Sequence, residues 1–432
     1  MDKTFDELII SSPAAEARIS EGIERNRKGF FKVTVTDGEG KPVDATVKIK
    51  QKSHEFKFGC NMFMLDEIPD SKEKNEAYKE KLKAFFNILT VPFYWDATEP
   101  EDGKTRYNKD SEKIYRRPPT DLCVEWCEKN GIEPREHALC YDHFFPEWIK
   151  SKTPDEIKFY LDRRMREVSE RYASRIPTIE VTNELAWDTG SPFYFEPDFV
   201  EWCFKTAEKY FPANKLGIND WCGFWDQPAS PANWYYTEVE NAMLKGARVD
   251  AIGMQYHMFF RREHYFNATR KYYNLDHLYA IMDRFSHFNK PIEITEITVP
   301  AFSNDPADEQ LQADIIEKLY KVWFSHEKTE KIIYWNLADG YAAFTTPGNM
   351  TDGENYYYGG LLRFDMSEKP AYERLRHLIT EEWHTELTAK SGESFKAFYG
   401  DYDVEVTANG KSVIVPARMY KSLNREIKVK LD

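Results

Sequence analysis

Hydrophobic and polar positions follow two different periods along this chain. From Phe31 they alternate every second residue through Val33 and Val35, pass an Asp37-Gly38-Glu39-Gly40-Lys41-Pro42 turn, and resume as Val43, Ala45, Val47 and Ile49. A period of two is that of a half-buried strand, so this stretch predicts a β-hairpin. The far end has the same texture. Phe395, Phe398, Tyr402, Val404 and Val406 precede an Ala408-Asn409-Gly410-Lys411 turn, and Val413, Val415, Ile427, Val429 and Leu431 follow it. Two strands alone cannot cover a hydrophobic face. Residues 29–55 and 390–432 are therefore expected to complete one β-sandwich, with everything between them inserted. Residues 1–28 read as a polar helical lead-in opening at Pro13.

Between the two β-rich ends, short apolar runs alternate with longer stretches of helical period. The strand candidates are 56–63, 86–91, 134–141, 178–183, 215–219, 250–257, 291–298 and 331–337. Helical patterns cover 155–173, 197–210, 232–245, 276–288, 308–325 and 370–379, several opened by a proline. Eight strands in strict alternation with helices predict an α/β fold, a (β/α)8 barrel over 56–385 carrying a small β-sandwich built from both termini. No G-x-G-x-x-G or P-loop follows any strand, which speaks against a doubly wound nucleotide-binding sheet.

Charge and composition narrow the partners. A net charge of −14 without any basic run argues against nucleic acid and anionic membrane surfaces, and a neutral ligand fits better than a polyanion. Aromatic residues make up 15% of the chain, which suits sugar rings as well as barrel packing. The six cysteines, Cys60, Cys123, Cys127, Cys140, Cys203 and Cys222, are scattered through strand and helix patterns and read as reduced core thiols. Cys123 and Cys127 lie four apart on a predicted helix with no histidine pair nearby, so no metal site is expected. The first residues show neither a basic segment nor a long apolar run, and no stretch approaches the ~20 apolar residues of a membrane span. The expectation is a cytoplasmic protein, or a secreted one read after removal of its leader.

Two strand candidates carry a carboxylate near the C-terminal end, where ligands sit in parallel barrels. Pro177-Thr178-Ile179-Glu180-Val181-Thr182-Asn183-Glu184 turns polar at Asn183, Glu184 and, further on, Asp188, and Pro291-Ile292-Glu293-Ile294-Thr295-Glu296 repeats the design. Two such glutamates aimed at one point supply the pair that glycosidic cleavage needs, one acid to protonate the leaving oxygen and one carboxylate to attack or stabilise the sugar centre.

These segments resemble glycoside hydrolase family 10, the β-1,4-xylanases. Five further stretches resemble the family in the correct order: Phe86-Asn87-Ile88-Leu89-Thr90 with Trp95-Asp96-Ala97-Thr98-Glu99-Pro100, Glu136-His137-Ala138-Leu139, Ile218-Asn219-Asp220, Ile252-Gly253-Met254-Gln255-Tyr256-His257, and Tyr334-Trp335-Asn336-Leu337-Ala338-Asp339. The resemblance implies a retaining endo-β-1,4-xylanase-like enzyme acting without a cofactor on a carbohydrate. Glu184 would be the acid/base, set in a partly desolvated environment by Trp187 or Asn183, and Glu296 the nucleophile, oriented by His257. Asn183, His137, Gln255, His257, Trp335, Asn219, Trp221 and Asn87 would contact substrate, with Asn219 and Trp221 toward the leaving group.

Departures fall around the glycone. The family's T-P-E-N-x-M-K-W becomes Thr90-Val91-Pro92-Phe93-Tyr94-Trp95, an aromatic wall in place of a polar clamp, and T-E-L-D becomes Thr295-Glu296-Ile297-Thr298, without the acid that supports the histidine. The 256–273 segment is unusually rich in aromatic and cationic residues, and Tyr341-Ala342-Ala343-Phe344 replaces a second tryptophan. Catalysis is expected to survive while specificity moves, toward short oligosaccharides or aryl or decorated β-glycosides. Two other classes stay open: a sugar-binding barrel without catalysis, and a metal-dependent hydrolase using His137, His143 and His257.

Overall fold

A computed structural model describes residues 4–185 and 190–431. Eight parallel strands close into a barrel: β3 (Lys57–Asn61), β4 (Ile88–Pro92), β5 (Glu133–His137), β6 (Thr178–Asn183), β7 (Lys215–Asp220), β8 (Ala251–His257), β9 (Ile292–Thr298) and β10 (Thr329–Tyr334), with β10 returning to pair with β3. The chain ahead of them forms β1 (Lys28–Thr36) and β2 (Thr46–His54), and the chain after them β11 (Glu386–Lys390), β12 (Ser394–Phe398), β13 (Gly400–Ala408), β14 (Lys411–Met419) and β15 (Glu426–Lys430). The fold is the (β/α)8 barrel expected, with a β-sandwich made by both termini.

Each barrel strand is followed by a helix that buries an apolar stripe against it. The helix Pro154–Tyr172 shows why the local sequence folds this way. Thr153 caps it in a reciprocal box with Glu156, Pro154 occupies the first turn, and Ile157, Leu161, Met165, Val168 and Tyr172 recur on the buried face. The helix Lys72–Lys83 was absent from the expected set. Only Tyr78 and Leu82 are buried along it, a stripe too narrow to stand out from its lysines and glutamates.

The sandwich pairs the termini directly. One sheet is ordered β12-β1-β15 and the other β11-β2-β13-β14, so each sheet contains one N-terminal strand flanked by C-terminal ones. Phe31, Val33, Val35, Val47, Ile49, Tyr402, Val404 and Val406 fill the space between them, the period-two residues of the two ends. The lead-in is helical, Phe5–Leu8 and Pro13–Asn26, and docks on the barrel through a bidentate Arg18–Asp283 pair. Arg27, just beyond it, donates to the carbonyls of Phe324, His326 and Thr329 at the N-terminal end of the barrel. All six cysteines are buried and unpaired. Among the described residues no helix is long and apolar enough to cross a membrane.

The two longest loops leave the C-terminal ends of β4 and β10, spanning 93–119 and 335–369. They rise over the barrel mouth that holds the carboxylates.

Candidate active site

The barrel interior beneath the mouth is a ladder of opposite charges. Lys331 lies 2.8 Å from Glu293, and Arg135 lies 3.6 Å from Glu293 and bonds Glu180. Glu180 in turn accepts from His137 Nδ1 at 2.7 Å. Burial raises the cost of each charge, and the cations overcome it, so Glu293 and Glu180 both titrate below the ordinary carboxylate range. The ladder rigidifies the strands that present the residues above it.

Glu184 follows the last residue of β6, where the backbone turns into the left-handed region at φ 51°. A non-glycine residue there stores on the order of 1 kcal/mol of strain. Its N–H donates to Asn219 O at 3.2 Å. The carboxylate accepts from Tyr141 Oη at 2.6 Å on Oε2 and from Gln255 Nε2 at 2.7 Å on Oε1.

Glu296, within β9, is 3% exposed. Its Oε1 accepts from Asn219 Nδ2 at 2.9 Å and Gln255 Nε2 at 3.1 Å, and its Oε2 lies 3.2 Å from His257 Nε2. Burial together with the charges of Glu180 and Glu184 pushes its pKa up to about 8, against the opposing pull of His137. The Gln255 amide nitrogen thus touches both glutamates, and the two Oε1 atoms lie no further apart than the sum of those two distances.

His257 does not offset that rise with a charge of its own. Its Nδ1 lies 3.0 Å from Thr298 Oγ1, a hydroxyl where an acid would hold a proton on the ring. Burial lowers the His257 pKa. The neutral ring donates Nε2–H to Glu296 and accepts the Thr298 hydroxyl proton, so it contributes a hydrogen bond but no compensating charge.

The remaining expected residues divide. His137, Asn183, Trp221, Gln255, His257 and Trp335 line one pocket with Glu184 and Glu296. Asn183 accepts from Asn219 and Gln255 on its Oδ1, at 2.8 and 3.2 Å. Trp335 packs edge-on to Phe63, His137 and His257. Asn219 is spent within the protein, bridging Asn183 and Glu296 through Nδ2 while its Oδ1 accepts from Thr295 at 2.7 Å. It positions Glu296 rather than facing the leaving group, and Gly253 makes the room, since a Cβ there would stand 2.5 Å from Asn219 Oδ1.

Asn87 requires a correction. It precedes β4, at the N-terminal end of the barrel, where it accepts from Phe58 N and donates to the carbonyls of His54 and Phe56. Its amide ties the entry to β3 and cannot reach a sugar at the opposite mouth. Trp187 and Asp188 lie outside the described residues.

The three histidines weighed for a metal, His137, His143 and His257, line the same pocket but do not form one ligand cluster among the described residues. His137 is engaged by Glu180 and, at 3.0 Å, by Tyr94 Oη, and His257 by Thr298 and Glu296. The His137, Glu180 and Glu296 ligand atoms do gather within 4.8 Å, but Arg135 bonds Glu180 beside them and would repel a cation.

Of the remaining pocket residues, Tyr141, Phe144, Arg116 and Arg117 carried no signal in the sequence. Tyr141 touches the carboxylate of Glu184, and Tyr94, Phe144 and Phe344 form a parallel ladder, with centroids 4.2 and 6.0 Å apart, that walls one side. Arg116 and Arg117 come from the long loop after β4. Tyr94, in the aromatic run after β4, and Phe344, in the run that stands in place of a second tryptophan, were foreshadowed.

The stretch that builds this barrel and holds both glutamates, residues 51–377, is matched by the glycosyl hydrolase family 10 model. The chain belongs to glycosyl hydrolase family 10. Among similar proteins are the anti-sigma-I factor RsgI6 of Acetivibrio thermocellus, 25% identical over 91% of this chain and 46% of its own length, and endo-1,4-beta-xylanase B of Thermotoga neapolitana, 26% identical over 76% of this chain and 88% of its own. The chain thus spans under half the length of the first and most of the second. Of solved structures, xylanase 10B from Thermotoga petrophila in complex with xylobiose superposes with a TM-score of 0.60 at 22% identity, over 76% of this chain and 95% of that one. At that identity the likeness speaks for the fold.

Proposed function

We propose that the chain is a retaining β-glycosidase, with Glu296 as nucleophile and Glu184 as acid/base, acting on xylan-type or short β-linked oligosaccharides. The observation that carries this reading is the single Gln255 nitrogen held by both carboxylates. Because that nitrogen lies 2.7 Å from one Oε1 and 3.1 Å from the other, the two oxygens cannot be further apart than the sum of those distances, which accords with the ~5–5.5 Å of double displacement and falls short of the ~6.5–9.5 Å an inverting mechanism needs for its water. Glu296, with N–H donors on both oxygens, is positioned to attack once ionised. Glu184 is the half-buried partner, and it exchanges its proton with the leaving oxygen and then with water. Asn183, whose Oδ1 is spent on Asn219 and Gln255, offers its Nδ2 to a sugar hydroxyl. Xylan is the default substrate because it is what several relatives are named for. The cavity, about 280 Å³ and closed on one side by the Tyr94-Phe144-Phe344 ladder, favours a short glycone over a long one.

The test is to trap the intermediate. A 2-fluoro glycoside inactivator leaves its sugar on Glu296, read by peptide mass spectrometry. Glu296→Ala abolishes turnover, while Glu184→Ala loses natural substrate and keeps aryl glycosides whose leaving group needs no proton. Equal loss on both substrates would remove Glu184 from the acid role.

A further inference from the structure

The pocket contains a buried cation that the chemistry above does not use. Arg117 is 8% exposed and lines the cavity together with Glu184 and Glu296. One of its nitrogens, Nη1, donates to Arg116 O at 3.0 Å. Among the described residues its Nε and Nη2 donate to nothing, and it joins no ion pair. Of the other buried arginines, Arg135 also has nitrogens without a hydrogen bond but is ion-paired with Glu180 and Glu293, and three more are nearly saturated. Arg106 and Arg164 each donate from Nε, Nη1 and Nη2 to protein oxygens, and Arg27 makes three such bonds.

The guanidinium is also held in place. It lies 4.0 Å from the centroid of Tyr94, 5.3 Å from Phe144 and 5.6 Å from Phe63, an aromatic cage that favours a cation and fixes its plane. Tyr94 bonds His137, whose Nδ1 is 3.9 Å from Glu296 Oε1, so the cage and the reaction centre share a wall. Burial pushes Arg117 down to about 10, leaving it charged at neutral pH. Arg116 stands beside it, donating to Asn336 Oδ1 at 3.1 Å, and the same Asn336 holds Glu354, a third pocket carboxylate. A buried cation with free donors carries a desolvation cost that only an anion repays in full, and the planar fork of arginine matches the oxygens of a carboxylate or sulfate.

We propose that the sugar bound against Glu184 and Glu296 carries an anionic group, a uronic carboxylate or a sulfate ester, received by Arg117. This rests on the glycosidase reading and names its substrate class. The experiment compares kcat/KM for 4-nitrophenyl β-glucuronide, β-glucoside 6-sulfate, β-glucoside and β-xyloside, using the whole chain and its Arg117→Gln and Arg117→Lys variants. One anionic glycone is expected to exceed the neutral glucoside by about 10–100-fold, and which one identifies the group. Arg117→Gln erases that ratio and Arg117→Lys restores part of it, which a merely structural arginine would not do. Equal rates for charged and neutral glycosides, or a ratio untouched by Arg117→Gln, overturn the inference while leaving the glycosidase standing. If no glycoside is turned over, calorimetric titration with glucuronate and glucose 6-sulfate decides. Binding lost in Arg117→Gln supports the anion site and sinks the glycosidase reading, and the absence of binding sinks the anion site too.

Discussion

At the scale of single residues, the substitution that most changes the chemistry is Thr298. With a hydroxyl behind it, His257 stays neutral, and Glu296 sits beside Glu180 and Glu184 with its pKa raised to about 8. In the proposed mechanism Glu296 attacks as the carboxylate, and a raised pKa means that the ionised form is lost as pH falls through that value. For an aryl glycoside the acid limb of kcat/KM is expected near pH 8 instead of below pH 5. Thr298→Asp places a charge behind His257, favours its imidazolium and moves that limb downward. An acid limb near pH 4 in the unaltered protein, or one that ignores Thr298→Asp, would refute the account. The legible part of the site was the part written on strands: Glu184, Gln255, His257 and Glu296 all stand at C-terminal strand ends, where position in the run specifies direction. Asn87 misled because it lies at the opposite end of a strand of the same texture. Arg116 and Arg117 were illegible because they fold back from a loop more than 20 residues past β4.

At the scale of elements, the strands were readable because a parallel barrel buries them on both faces and each becomes a short unbroken apolar run. The helix Lys72–Lys83 was not, since charged residues fill most of its surface and two buried side chains make no period. Helix ends are more explicit. Thr153 accepts from Glu156 N at 3.4 Å and Glu156 reaches back to Thr153 N at 2.8 Å. Thr153→Ala is expected to destabilise the protein by about 1 kcal/mol, measured as a shift in the midpoint of urea unfolding at unchanged slope. No shift would mean that the helix is held entirely by its packed face.

At the scale of the molecule, the sandwich is assembled from chain ends that frame the barrel. Leu387↔Ile49 and Val404↔Ile49 place Ile49 between two C-terminal strands, and it is fully buried. Ile49→Ala is expected to cost about 2–5 kcal/mol, seen as a lowered unfolding temperature. Removing residues after Thr385 exposes the edges of β1 and β2 and should yield an aggregating chain, detected by light scattering. A soluble, active truncation would show that the barrel stands alone. The period-two pattern at both ends had indicated this joining, because neither hairpin could hide its own apolar face.

That arrangement also governs how the protein comes into being. β1 and β2 leave the ribosome ahead of the barrel, yet every strand they pair with is made after the barrel is complete. At ordinary synthesis rates the wait is on the order of tens of seconds, during which two sticky ribbons dangle from a maturing neighbour. Depletion of a nascent-chain holdase is therefore expected to lower the soluble yield of the whole far more than that of the barrel segment expressed without its first 55 residues.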